Sequence, residues 1–286
     1  LASKPAMERI TNFVTNWNII SYPGSAWAKQ VFPDLEERDA ISSLAKAIFS
    51  ISRVDNPDPI AAWEKHQQTL TSRQNWLNEK NFSALRYSAP GTDLTIGLAK
   101  GHEWKGGAST SKNGITCTPN IPTEEVFTTP HSHRVDGCVR ATKPLVYRGT
   151  LIEGIEVEFE KGKITKARAE KGEEVFLNLL DTDEGARRLG EVALVPHSSP
   201  ISESGLLFYN TLYDENASCH IALGQCYSKC FRDDIGDDPE KVSEAGGNTS
   251  NIHVDWMIGS DRMDIDGVSQ DGTITPVMRN GEWAYN

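Results

Sequence analysis

The stretch Asn251-Ile-His253-Val-Asp255-Trp-Met-Ile-Gly259 constrains the fold more than any other. Apolar and β-branched residues alternate there with polar ones. A Gly246-Gly247-Asn248 loop precedes the run and Gly259 ends it. Such a run predicts a β-strand. Side chains two apart on a strand point the same way, so His253 and Asp255 share one face while Ile252, Val254 and Trp256 take the other. An imidazole and a carboxylate about 7 Å apart along a strand offer two ligands to a divalent metal. A strand with a polar, solvated face reads the same way, so the pair needs partners from elsewhere in the chain.

Length and charge narrow the setting. The 286 residues suffice for one large or two ordinary domains. A net charge of −11 argues against nucleic acid or anionic lipid as a partner, and suits cationic substrates or divalent ions held by carboxylates. No run of about 18 apolar residues occurs, so no membrane span is expected. Five cysteines, odd in number and without a C-x-x-C, fit a reduced, cytoplasmic protein better than a disulfide framework. Cys219, Cys226 and Cys230 with His220 match no common structural zinc spacing. The chain opens on Leu1 with no leader segment, and the expectation is that it is not the complete gene product.

Taken in order, residues 1–13 read as a helix and Val14–Tyr22 as a buried strand stopped by Pro23-Gly24. Helices follow over Ser25–Phe32, Glu36–Ser52 and from Asp58-Pro59 to Lys80. Ile60, Trp63, Leu70 and Leu77 mark the apolar seam of the last. After residue 80 the texture turns to short strands: Ser83–Tyr87, Asp93–Gly97, Gly114–Thr118, Gly137–Thr142, Gly154–Glu160 and Lys163–Ala169. Gly172–Leu180 and Asp183–Arg188 are helical, and Gly190–Val195 is a strand. Asn210–Ala217 is a helical turn, and Cys219–Cys226 fits strand or helix equally. Arg232–Gly247 reads as a surface loop. A meander over Met263–Gly267, Thr273–Met278 and Glu282–Ala284 closes the chain. The expectation is an α+β protein: an α/β remnant of one strand plus helices over 1–80, then a β-rich domain over 81–286 with a curved or barrel-like, mostly antiparallel sheet.

Four residues are worth pairing with His253 and Asp255. Glu125 lies between Pro122 and Pro130, where adjacent residues face opposite ways, so that either Glu124 or Glu125 points inward and the other is solvated. Glu191 opens the apolar run Val192–Val195, where an unpaired charge is costly. His220 and Tyr227 follow Asp214-Glu-Asn-Ala217. Separately each has an ordinary structural reading. Together they supply carboxylates, imidazoles and a phenol from separate strands, the O and N donor mixture of a two-metal hydrolytic site.

The chain resembles the M29 family of metallo-aminopeptidases. The blocks that carry the resemblance run its whole length: Ala89-Pro-Gly-Thr-Asp-Leu94, Pro119-Asn-Ile-Pro-Thr-Glu-Glu-Val-Phe-Thr128, Thr182-Asp-Glu-Gly185, Leu189-Gly-Glu-Val-Ala-Leu-Val-Pro196, Ser199-Pro-Ile-Ser202, Phe208-Tyr-Asn-Thr-Leu212, Asp214-Glu-Asn-Ala217, His220-Ile-Ala-Leu-Gly224, His253-Val-Asp255 and Met263-Asp-Ile-Asp-Gly267. The resemblance implies a metal site of Glu125, Glu191, His220, Tyr227, His253 and Asp255. It also implies a further N-terminal α/β portion, which this chain lacks, and a homodimer in the full-length form.

By that resemblance the chain removes N-terminal residues from peptides through water activated by two divalent ions: zinc, cobalt, manganese or magnesium. Glu191 or Asp255 is the bridge, Glu125 the proton shuttle, and Tyr227 a weak ligand or oxyanion donor. Asp214 and Glu215 are candidates for sensing the substrate ammonium. His131 and His133 read as a loop at the surface or substrate rim. Ser199 and Ser202 beside His197 lack a nucleophile elbow. Two rivals are kept: a metal-free glycosidase using Glu125 and Glu191, and a fragment that binds metal without catalysis.

Overall fold

The computed structural model describes Arg9 and residues 13–233, 235, 236 and 238–285. The helix expected over 1–13 lies almost entirely outside the described residues. Among the described residues, helices α1 (Ser25–Val31), α2 (Glu37–Ile51) and α3 (Pro59–Lys80) precede the first strand. Helix α3 starts where Asp58 accepts the N–H of Ala61 at 3.0 Å and Pro59 fills the first turn. It ends at Asn81, which takes the left-handed conformation (φ 46°). Leu70 and Leu77 are buried, but Ile60 is 74% exposed and has no place in the seam. Helices α1 and α2 pack their Ala28, Leu44, Ile48 and Ile51 against Ile201, Phe208 and Tyr213.

The strands are short and antiparallel. β1 (Ala84–Ala89) and β2 (Thr92–Leu98) form a hairpin. β3 (Lys105–Gly106), β4 (Ser109–Thr110), β5 (Thr116–Cys117) and β6 (Val126–Thr128) lead into the long β7 (Pro130–Arg140). β8 (Leu145–Tyr147), β9 (Thr150–Ile152), β10 (Glu156–Glu160) and β11 (Lys163–Arg168) precede α4 (Glu173–Leu180). β12 (Leu189–Leu194), α5 (Pro200–Glu203), α6 (Thr211–Asp214), β13 (His220–Gly224), α7 (Pro239–Glu244) and β14 (His253–Met257) follow. β15 (Asp264–Val268), β16 (Ile274–Arg279) and β17 (Glu282–Trp283) finish the chain.

Two sheets dominate. One has eight strands in the order β11-β10-β7-β2-β1-β15-β16-β17, the other five in the order β14-β13-β12-β6-β3. Neither closes into a barrel. One continuous core joins them: Leu85, Leu94, Ile96 and Val135 from the first, Val192, Leu194, Ile221, Leu223, Val254 and Trp256 from the second. Every second residue of β12, β13 and β14 is therefore committed to the core, and the alternate residues face the opposite side. Among the described residues no helix is long and apolar enough to cross a membrane.

Some expectations need correction. Val14–Tyr22 is not a buried strand. Its one bridge joins Ile19 to Asn120, and Ile20 and Tyr22 are 71% and 86% exposed. An apolar run becomes a buried strand only with a neighbouring ladder and a layer above it, and this one has neither. Arg232–Gly247 is not only loop: α7 buries Val242 against Ala99, Cys226 and Phe231. His131 and His133 lie on β7, which starts earlier than Gly137. Ser199 caps α5 by accepting the N–H of Ser202 at 3.2 Å. The ambiguous Cys219–Cys226 segment contains β13.

Candidate active site

The face of the smaller sheet turned away from the core carries Glu191 on β12, His220 on β13, and His253 and Asp255 on β14. The register aligns Glu191 with Ala222 and Ala222 with Asp255, so two carboxylates flank a methyl group across three strands. Gly224 lies opposite His253. Its φ is +100°, and a Cβ there would come within 2.1 Å of the Ile252 carbonyl oxygen. Small residues at 222 and 224 leave room for the four larger polar side chains. Glu125 enters from the step before β6, whose Val126 pairs with Leu194 of β12.

The side chains converge. His220 Nε2 is 3.0 Å from Glu125 Oε2 and 3.8 Å from Glu191 Oε1. His253 Nε2 is 3.6 Å from Glu191 Oε2 and 3.5 Å from Asp255 Oδ1. Donor atoms of Glu125, Glu191 and His220 lie within 4.8 Å of one another, as do those of Glu191, His253 and Asp255. Glu191 belongs to both groups. Tyr227, 39% exposed, sits at the edge with its ring 4.6 Å from that of His253. All six line one cavity of about 500 Å³, with Trp17, Phe127 and Lys229 among the other walls. His131 and His133 are not among its lining residues.

The electrostatics are those of charges crowded away from water. Burial alone would lower both histidines. Glu125 and Glu191 hold His220 well above the ordinary imidazole value, and Asp255 and Glu191 push His253 up to about 10. Burial raises Glu191, while His253 brings Asp255 down against the opposing effect of its own burial. Tyr227 is raised by burial and by its acidic neighbours, Glu191 first. The Nδ1 atoms of both histidines meet backbone carbonyls, Ser218 at 3.1 Å and Gln225 at 2.7 Å. With that proton placed on Nδ1, each Nε2 lone pair faces carboxylates.

The chain matches the family described as thermophilic metalloprotease (M29) over residues 1–283. It belongs to that family. The M29 chain is 55% identical over 282 residues to aminopeptidase T of Thermus thermophilus, covering 99% of itself and 69% of that relative. It is 48% identical to aminopeptidase 2 of Geobacillus stearothermophilus, covering 99% and 70%. Among solved structures, wild-type AmpT from Thermus thermophilus superposes with a TM-score of 0.92 at 54% identity, over 99% of this chain and 69% of that one. The family is a metallopeptidase family, so the metal-free glycosidase reading falls.

The residues fit a metal. Among the described residues Glu191 Oε2 and Asp255 Oδ1 are buried without a hydrogen-bond partner, a costly arrangement that a cation relieves. Sequence reasoning underweighted Glu215. It lines the same cavity from the 3-10 turn Glu215–Ala217. Burial, then Asp255 and Glu125, raises it well above the usual carboxylate range. No local pattern separates it from Asp214, yet Asp214 does something else: it accepts the N–H groups of Phe208 at 2.8 Å and Asn210 at 3.0 Å. Glu124 is not solvated either; it is 3% exposed and paired with Arg53.

Proposed function

We propose that this chain is an aminopeptidase that holds two divalent ions, one by Glu125, Glu191 and His220, the other by Glu191, His253 and Asp255. Glu191 is the bridge in this reading. The observation that carries it is the pair of three-residue donor groups sharing Glu191 on one cavity wall. Two divalent ions also balance the four carboxylates Glu125, Glu191, Glu215 and Asp255 that line this one cavity. When bound, such ions polarise the scissile carbonyl and lower the pKa of water.

The chain's own groups do the rest. Glu215 stands outside both donor groups yet lines the same cavity, which suits it to a base that takes a proton from water and returns it to the leaving amine. That role passes to it from Glu125, which is engaged with His220. Tyr227 keeps its hydroxyl proton and donates it as a hydrogen bond to the carbonyl oxygen as negative charge develops there. The acidic wall attracts the free ammonium of a peptide N-terminus. Zinc, cobalt, manganese and magnesium are the metals to compare. A cytoplasmic setting accords with cysteines present as thiols, and homodimerisation in a longer form is what the resemblance implies.

Hydrolysis of a panel of amino-acid anilides, after chelation and after adding back each metal, tests the reading. Activity lost with the chelator and restored by metal is the expected result. Metal bound with no amino acid released from any substrate would leave an inactive fragment instead.

A further inference from the structure

Glu124 precedes the ligand Glu125 and points to the other side of the backbone. Both its oxygens are taken by one guanidinium: Arg53 Nη1 lies 2.6 Å from Oε1 and Nη2 2.9 Å from Oε2. Arg53 leaves the end of α2 in the left-handed conformation (φ 59°) and lies over the ring of Trp63 on α3 at 5.7 Å. On the opposite side, the N–H of Glu124 donates to Asn216 Oδ1 at 2.7 Å, and Asn216 Nδ2 donates to the Leu212 carbonyl at 3.0 Å. Asn216 is fully buried and directly follows Glu215.

A two-pronged arginine–carboxylate bond fixes direction as well as distance. Here it holds the backbone just before Glu125. A single buried hydrogen bond then ties that backbone to the turn bearing Glu215. None of Arg53, Glu124 and Asn216 lines the cavity. We propose that these three residues are a positioning brace that fixes the carboxylates of Glu125 and Glu215 relative to each other across the metal site. The proposal rests on the reading of that site given above. It gives α2 and α3, which carry no ligand, a part in the reaction: the α2–α3 corner sets where one metal ligand and the base stand.

The test uses the full chain with three readouts: zinc and cobalt affinity by chelator competition, kcat and KM on an amino-acid anilide, and Tm. The double variant Arg53→Met with Glu124→Met replaces the ion pair by apolar side chains of similar length, a change that buried pairs often tolerate without loss of stability. Its expected outcome is a Tm near that of the unaltered protein. One of the two metal-binding steps weakens about tenfold or more, and kcat falls similarly with little change in KM, as for residues that orient metal ligands. If that variant does not fold, Arg53→Lys keeps the charge and loses the fork; it should weaken the same binding step by a smaller factor. Unchanged metal affinity and kcat in either folded variant would overturn the brace. Failure of the unaltered protein to bind either metal would overturn the site reading together with it.

Discussion

Without cations, the two imidazoles of the site hold protons that a metal has to displace. His253 sits at about 10 because Asp255 and Glu191 outweigh its burial, and Glu125 and Glu191 raise His220 as well. Removing the His253 proton at pH 7 costs about 4 kcal/mol, from about three pH units at 1.36 kcal/mol each. Metal binding is therefore expected to release about one proton per histidine, with affinity rising about tenfold per pH unit for each proton displaced. Between pH 6 and 8 that amounts to about a hundredfold for His253, and the raised His220 steepens the dependence further. The same linkage sets the stability of the metal-free protein. The raised His253 contributes stability that is fully present below about pH 6.5 and is lost as pH rises through about 10. Titration calorimetry in two buffers of different ionisation enthalpy counts the protons, and thermal melts of chelated protein follow the stability. Affinity flat between pH 6 and 8, with no protons released, would refute the reasoning.

Glu191→Gln removes a donor from both groups, so both binding steps should weaken and kcat/KM should fall by about a thousandfold, about 4 kcal/mol; Glu125→Gln should weaken only one step, and equal effects would deny Glu191 the bridge. Tyr227→Phe should lower kcat about a hundredfold at nearly constant KM if the hydroxyl serves the oxyanion, and steady-state kinetics separates that from lost binding. Gly224→Ala should cost about 1–3 kcal/mol through its φ of +100° and its crowding against Ile252, seen as a lower urea midpoint. Asp214, raised by burial to about 6 from 3.8, costs stability as pH rises from about 4 through about 6, by up to about 3 kcal/mol. Asp214→Asn should gain on the unaltered protein by that order between pH 4 and 7, and parallel urea melts at the two pH values would expose its absence.

Much of the site could be read from the chain because its strands obey a two-residue rule. In Glu191–Leu194 and His253–Trp256 the large apolar residues fall on one parity and the ligands on the other, and the core took the large apolar set; His220–Leu223 follows the same rule once its strand is formed. Helix α3 was equally local, bounded by Asp58-Pro59 and Asn81. Parity says which face a side chain takes, but not what it meets there. Only the pairing of β12 with β13 and of β13 with β14 set Glu191 and Asp255 on either side of Ala222 and made Glu191 common to two donor groups. Only packing sent Glu124 to Arg53 and Glu215 to the cavity while Asp214 capped its own loop. It also left Ile19, Ile20 and Tyr22 exposed despite their apolar side chains. Alternation and capping are settled by neighbours in the chain; the company a buried charge keeps is settled by residues far off in sequence, as with Arg53 and Glu124, 71 positions apart.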